Sequence, residues 1–127
     1  MAKKITPLEW EIMQAVWEME GELSVRDVLE ATYPEGQKAY TTVQTIMNKL
    51  EKKGFLRKKK IGLVNFYAPT KKRSEVVVGE TKRFVERIFD GSFGELASYL
   101  IGSGKLTDKE IEHIKEIIDE REYDTGN

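Results

Sequence analysis

Residues 39–69 read AYTTVQTIMNKLEKKGFLRKKKIGLVNFYAP. In the first part, Val43, Ile46, Met47 and Leu50 fall on one stripe at 100° per residue. The spacing predicts a helix that starts near Ala39–Thr41 and stops at Gly54, since glycine suits the position just past a helix end. Two β-rich runs follow, Phe55–Ile61 and Leu63–Pro69, on either side of Gly62, and they predict a hairpin that Pro69 ends. The helix face opposite the apolar stripe centres on Thr41, Thr45, Asn48 and Lys52, flanked by Gln44 on one side and by Thr42 and Lys49 on the other. It offers hydroxyls, amides and ammonium groups with no carboxylate at its centre, a set that suits phosphates and base edges.

Charge points the same way. Residues 38–73 hold eleven Lys or Arg against one acid, Glu51, in a chain of formal net charge −1. The basic residues are Lys38, Lys49, Lys52, Lys53, Arg57, Lys58, Lys59, Lys60, Lys71, Lys72 and Arg73, and they interleave with Val43, Ile46, Phe55, Leu56, Phe66 and Tyr67. Interleaving argues for a folded basic surface rather than a tail. Such a surface neutralises phosphates and releases counterions. Candidate contacts are Lys38, Tyr40, Thr41, Thr42, Gln44, Thr45, Asn48, Lys49 and Lys52 on the helix and its approach, and Arg57, Lys58, Lys60 and Asn65 on the hairpin. Strand alternation should send only some of the hairpin residues toward DNA.

Upstream, Thr6-Pro7-Leu8-Glu9 is a capping box with proline at the first helical position, and it opens a helix carrying Leu8, Ile12, Ala15, Val16 and Met19. Trp10 and Trp17, seven apart, share a face of it. Leu23 suits a very short strand, and Ser24–Asp27 caps a second helix. Downstream, residues 74–90 predict a helix with Val77, Phe84, Val85 and Ile88 on one side. Phe93–Ile101 predicts a short apolar helix that includes Leu96 and Leu100, and Thr107–Glu110 caps a last one with Ile111, Ile114, Ile117 and Ile118 inward. The expected fold is mainly α: a winged helix-turn-helix domain over residues 1–73, with three helices and a β-hairpin wing, and a helical dimerisation domain over residues 74–127. The first part carries net charge +5 and the second −6, so only the first suits phosphate. The C-terminal helices have few large apolar residues, and a tail this small needs a partner to cover Val77, Phe84, Val85, Ile88, Leu96, Leu100, Ile111, Ile114 and Ile118.

Composition excludes several classes. With no cysteine there is no disulfide, thiolate metal site or cysteine nucleophile. The one histidine, His113, sits among charged helix residues and reads as surface. No nucleophile has a base partner and no glycine-rich phosphate loop occurs, so an enzyme, a metal site and a cofactor are not expected. No apolar run approaches the roughly 20 residues of a membrane span. Met1–Ile5 has no apolar signal region, so a cytoplasmic location without membrane insertion is expected.

Two stretches resemble a known family. Residues 5–17, ITPLEWEIMQAVW, resemble the opening of the penicillinase-repressor family, the BlaI, MecI and CopY type regulators of bacteria. Residues 42–54, TVQTIMNKLEKKG, resemble its recognition helix, T-V-x-T-x-L-x-R-L-x-x-K-G, with Met47 for Leu and Lys49 for Arg. The resemblance implies a homodimeric winged-helix repressor on a double-stranded, pseudo-palindromic operator, with Thr41, Thr42, Gln44 and Thr45 nearest the bases. Gln44 stands where several relatives carry Arg, which shifts the expected partner from guanine toward adenine. In the β-lactam branch of the family, the resemblance implies release by a membrane metalloprotease sensor that cuts the dimer region. The aligned bond is Tyr99-Leu100, where relatives have Asn-Phe. The copper-sensing branch relies on C-terminal cysteines, which this chain lacks. The alternative is a winged-helix protein-interaction module without specific DNA binding, because fold alone does not fix function. Repression and activation share one DNA mode and differ by promoter position.

Overall fold

The computed structural model describes residues 4–126. Among them the order is α1 (Pro7–Glu18), β1 (Leu23–Ser24), α2 (Val25–Thr32), α3 (Tyr40–Lys52), β2 (Leu56–Ile61), β3 (Val64–Pro69), α4 (Arg73–Ile88), α5 (Phe93–Gly102) and α6 (Asp108–Gly126). The fold is mainly helical with a small antiparallel sheet in the order β1-β3-β2. The winged-helix arrangement expected from the sequence is present, including the two-residue strand at Leu23.

Local chemistry sets the element ends. Thr6 Oγ1 accepts from the Glu9 amide at 3.2 Å and Glu9 Oε1 accepts from the Thr6 amide at 2.8 Å, a reciprocal cap for α1. Ser24 and Asp27 cap α2 in the same way, as Thr107 and Glu110 do at the start of α6. At the end of α3, Gly54 has φ +88°. Its amide donates to the Glu51 carbonyl at 3.0 Å, and the Phe55 amide to the Leu50 carbonyl at 2.9 Å. This is a Schellman stop, and Phe55 and Leu50 are both buried beside it. The stop turns the chain from α3 into β2. At the hairpin tip Gly62 takes the positive φ, 63°, and Leu63 the negative one, which is the pattern of a type II′ turn.

The chain forms two compact units, residues 1–78 and 79–127. In the first, Ile12, Met13 and Val16 of α1, Val25 and Val28 of α2, the α3 stripe, and Leu23, Leu56 and Tyr67 of the sheet make one core. Val76 of α4 belongs to it as well. The Trp10 and Trp17 rings meet edge to face at 5.4 Å. Trp17 Nε1 donates to the Lys71 carbonyl at 3.0 Å. Arg73 donates to Gln14 at 2.9 Å and lies 5.8 Å from the Trp10 ring centroid. These ties hold the first turn of α4 to α1, within the first unit. In the second unit the Phe84, Phe89 and Tyr99 rings form a row at 5.9 and 6.4 Å.

One ion pair lies partly inside the first unit. Lys53 Nζ donates to Glu9 Oε1 at 2.7 Å and to the Lys4 carbonyl at 2.9 Å. The Glu9 side chain is 3% exposed. Burial raises its carboxyl pKa. The hydrogen bond from Lys53, those from Thr6 and the Lys53 charge together outweigh burial and hold it below the usual carboxylate range. Because the folded value is lowered, the stabilisation is present above the unfolded carboxyl pKa of about 4.3 and is lost as pH falls through the folded value. Glu9→Gln should lower unfolding free energy at neutral pH by roughly 1–3 kcal/mol, since it leaves Lys53 facing an amide. In denaturant titrations the gap from wild type should narrow below about pH 4. A gap unchanged between neutral pH and pH 3 would contradict this role.

Candidate nucleic-acid interface and the exposed apolar face

With Val43, Ile46, Met47 and Leu50 buried, α3 turns its remaining residues outward. Thr41, Thr42, Thr45, Lys49 and Lys52 are exposed, and Gln44 and Asn48 are half-buried. Its first turn holds no acid, and Ala39 at the N-cap supplies no side-chain acceptor. The first amides and the positive end of the helix dipole therefore lie open to an anion. Lys38 is exposed on the approach to this end. Thr45 donates its hydroxyl to the Thr41 carbonyl at 2.9 Å. Arg26 of α2 lies 5.2 Å from the Tyr40 ring centroid, a cation–π contact that brings a further cation to the start of α3.

Register decides the two faces of the hairpin. Lys58 pairs with Tyr67, Lys60 with Asn65, and Arg57 with Ala68. Paired residues share a face, so Lys58, Lys60 and Asn65 lie with Tyr67 on the side of α3. Arg57 and Lys59 lie on the other side, where Arg57 reaches the Pro69 carbonyl at 3.4 Å. Arg57 thus stands apart from the hairpin residues it was grouped with. On the α3 side, Tyr67 Oη donates to Asn48 Oδ1 at 2.7 Å and Lys58 Nζ donates to the same oxygen at 3.3 Å. Burial, then the proximity of Tyr40 and Glu51, raises the Tyr67 hydroxyl pKa. A cleft of about 120 Å³ lies between Val25, Tyr40 and Gln44 on one side and Leu63, Val64, Asn65 and Tyr67 on the other. At its rim Leu63 is 96% exposed.

The structure therefore brings Tyr40, Thr41, Gln44, Thr45, Asn48, Lys58, Lys60 and Asn65 around one helix and one hairpin face. Lys53, counted in the basic segment, is engaged with Glu9 instead. Sequence reasoning missed Arg26 and the hydroxyl of Tyr67. Nothing local links residue 26 to residue 40 or residue 67 to residue 48; the helix-turn-helix and the wing register make both contacts. Among the described residues no group of His, Asp and Glu could hold a metal ion, and no helix is long and apolar enough to cross a membrane.

The second unit exposes apolar surface. Phe84, Ile88, Phe93, Tyr99, Leu100, Ile101, Ile117 and Ile118 are all more than two-fifths exposed. Val77, Leu96, Ile111 and Ile114 are half-buried. Val85 differs: it is completely covered within the single chain, so it serves its own core and has no surface left for a partner. Leu106, Lys109, Glu110, His113 and Ile114 line an apolar hollow on α6 and the turn before it. Tyr99 and Leu100, the pair at the aligned cleavage position, are exposed on α5.

Comparison with known proteins bears on the family and the fold. The penicillinase repressor family profile matches residues 5–120. The methicillin resistance regulatory protein MecI of Staphylococcus aureus is 25% identical over 118 residues, covering 93% of this chain and 95% of that protein. The penicillinase repressor of Bacillus licheniformis is 24% identical over 117 residues, covering 92% of this chain and 91% of that protein. The solution structure of the DNA binding domain of the repressor BlaI superposes with a TM-score of 0.51 at 27% identity, over 59% of this chain and 90% of that one. The chain belongs to the penicillinase repressor family, whose members are transcriptional repressors and not enzymes.

Proposed function

We propose that this chain is a bacterial transcriptional repressor that binds a pseudo-palindromic DNA operator as a homodimer in the cytoplasm. The observation that carries the reading is α3, whose apolar stripe is buried and whose outward face holds Thr41, Thr45, Gln44, Lys49 and Lys52. Its N-terminal end would enter a major groove with Thr41, Thr42, Gln44 and Thr45 nearest the bases. Lys38, Tyr40, Lys49, Lys52, Lys58, Lys60 and Asn65 would hold phosphates. Arg57 and Lys59 would add charge from the far face of the wing.

The C-terminal part, residues 74–127, would make the dimer. One module of this size touches few phosphates, whereas two linked modules bind as one unit to half-sites about 34–36 Å apart or further. Exposure of Phe84, Ile88, Leu100 and Ile118 supports partner burial. Cleavage by a membrane metalloprotease sensor at Tyr99-Leu100 would then release DNA by separating the modules; exposure of both residues supports that route. The rival reading, a protein-interaction module, draws on the apolar wing tip, where Ile61, Leu63 and Val64 are exposed.

Selection from a randomised duplex library at near-physiological salt separates the two. An enriched inverted repeat is expected; weak, salt-sensitive binding without enrichment would favour the rival. Gln44→Ala or Thr45→Ala should change the preferred sequence, with roughly 1–3 kcal/mol lost on the original operator. Equal loss on operator and random DNA would remove them from the base-reading set. Lys60→Ala should weaken all sequences alike and lower the slope of log affinity against log salt by about one phosphate. An unchanged slope would take Lys60 off the backbone. Leu100→Glu should give a monomer on gel filtration at micromolar concentration and cost roughly 100-fold or more on the full operator while sparing a half-site. A dimer that persists, with operator affinity intact, would move the interface elsewhere.

A further inference from the structure

The orientation of the Asn48 amide is set by two neighbours, both on its oxygen. Its oxygen receives the Lys58 ammonium and the Tyr67 hydroxyl, at 3.3 and 2.7 Å. An ammonium has three donors and no acceptor, so only the oxygen of the amide can face it. With the oxygen turned to Lys58, the Tyr67 hydroxyl must donate as well. A phenol keeps its proton through the physiological range, and burial only raises the pKa of this one. Asn48 stands on the half-buried edge of the same α3 face that carries Thr41, Thr45 and Lys52.

We infer that Tyr67 and Lys58 clasp the Asn48 oxygen against the wing, so that Asn48 offers nucleic acid its N–H donors only. Tyr67 is then a positioning residue that acts through Asn48. The inference rests on the DNA-binding reading above and deepens it. A free Asn pairs with adenine in bidentate fashion, giving a proton to N7 and accepting one from the 6-amino group. The clasped amide has no oxygen left for the second bond. Its partner must be an acceptor, either a phosphate oxygen or a base-edge acceptor such as guanine O6 or N7. The clasp also couples the wing to the recognition helix, because one side chain of α3 joins β2 and β3 at a single atom.

The test has two arms on the full-length protein. Without DNA, 15N relaxation of the Asn48 side-chain amide should report a rigid group in wild type and a mobile one in Tyr67→Phe, which removes one oxygen and leaves the ring in the core. Equal mobility in the two would overturn the clasp. With DNA, affinities of wild type and Asn48→Ala are compared on the selected duplex and on duplexes in which each adenine in turn is replaced by purine, which lacks the 6-amino group. The two proteins should respond alike at every position. A loss in wild type that Asn48→Ala does not share would mean that the amide oxygen reads adenine, and would overturn the inference. An Asn48→Ala effect confined to one base pair assigns the donor to a base edge, and an effect equal on all sequences assigns it to phosphate; both agree with a donor-only amide. Tyr67→Phe should weaken binding roughly 2- to 10-fold, the worth of one hydrogen bond, and unchanged binding would remove Tyr67 from the positioning role. If wild type selects no sequence at all, the operator reading falls, while the relaxation arm still judges the clasp separately.

Discussion

Burial of one stripe of α3 is the constraint on which the rest of this protein turns. Val43, Ile46, Met47 and Leu50 are all within 7% of complete burial, packed with α1, α2 and the sheet. A helix of 13 residues that commits one stripe to a core has no freedom left in its rotation. Thr41, Thr45, Asn48 and Lys52 must then face outward together. The Schellman stop at Gly54 carries the constraint onward, because it delivers the chain to β2 in one direction only, with Phe55 and Leu56 still in the core. The functional surface is in this sense the complement of the core.

Polar contacts refine what packing sets. The Glu9–Lys53 pair ties the start of α1 to the end of α3. Its worth depends on geometry, since burial opposes the carboxylate and only the convergence of Lys53 and Thr6 reverses that. The Asn48 oxygen does similar work at the middle of α3 by gathering Tyr67 and Lys58. Arg26 on the Tyr40 ring ties the start of α3 to α2. Each contact holds a different point along one helix, as the proposed reading of a rigid groove requires.

The two units face different problems. The first has a closed core and an open charged face. The second has little core of its own, with no residue of α5 buried, and a wide apolar exposure that water disfavours. In the proposed dimer, this arrangement would couple assembly to DNA affinity without any change in the contacts to bases. The positive and negative net charges of the two parts keep the second from competing for phosphate.

Much of this is legible in the chain itself. Helix and strand identities follow from periodicity, and their ends from Thr6, Ser24, Gly54 and Thr107, because caps and spacing act over three or four residues. The outward chemistry of α3 followed from the same spacing, and the basic loading from counting. Tertiary structure alone assigned Lys53 to Glu9 rather than to phosphate, separated Arg57 from Lys58, closed Val85 inside its own chain, and joined Asn48 to Tyr67. These are pairings across many residues, or choices between two faces of one strand. Local preference is silent about them because a pairing energy exists only once the backbone has brought the two groups within reach.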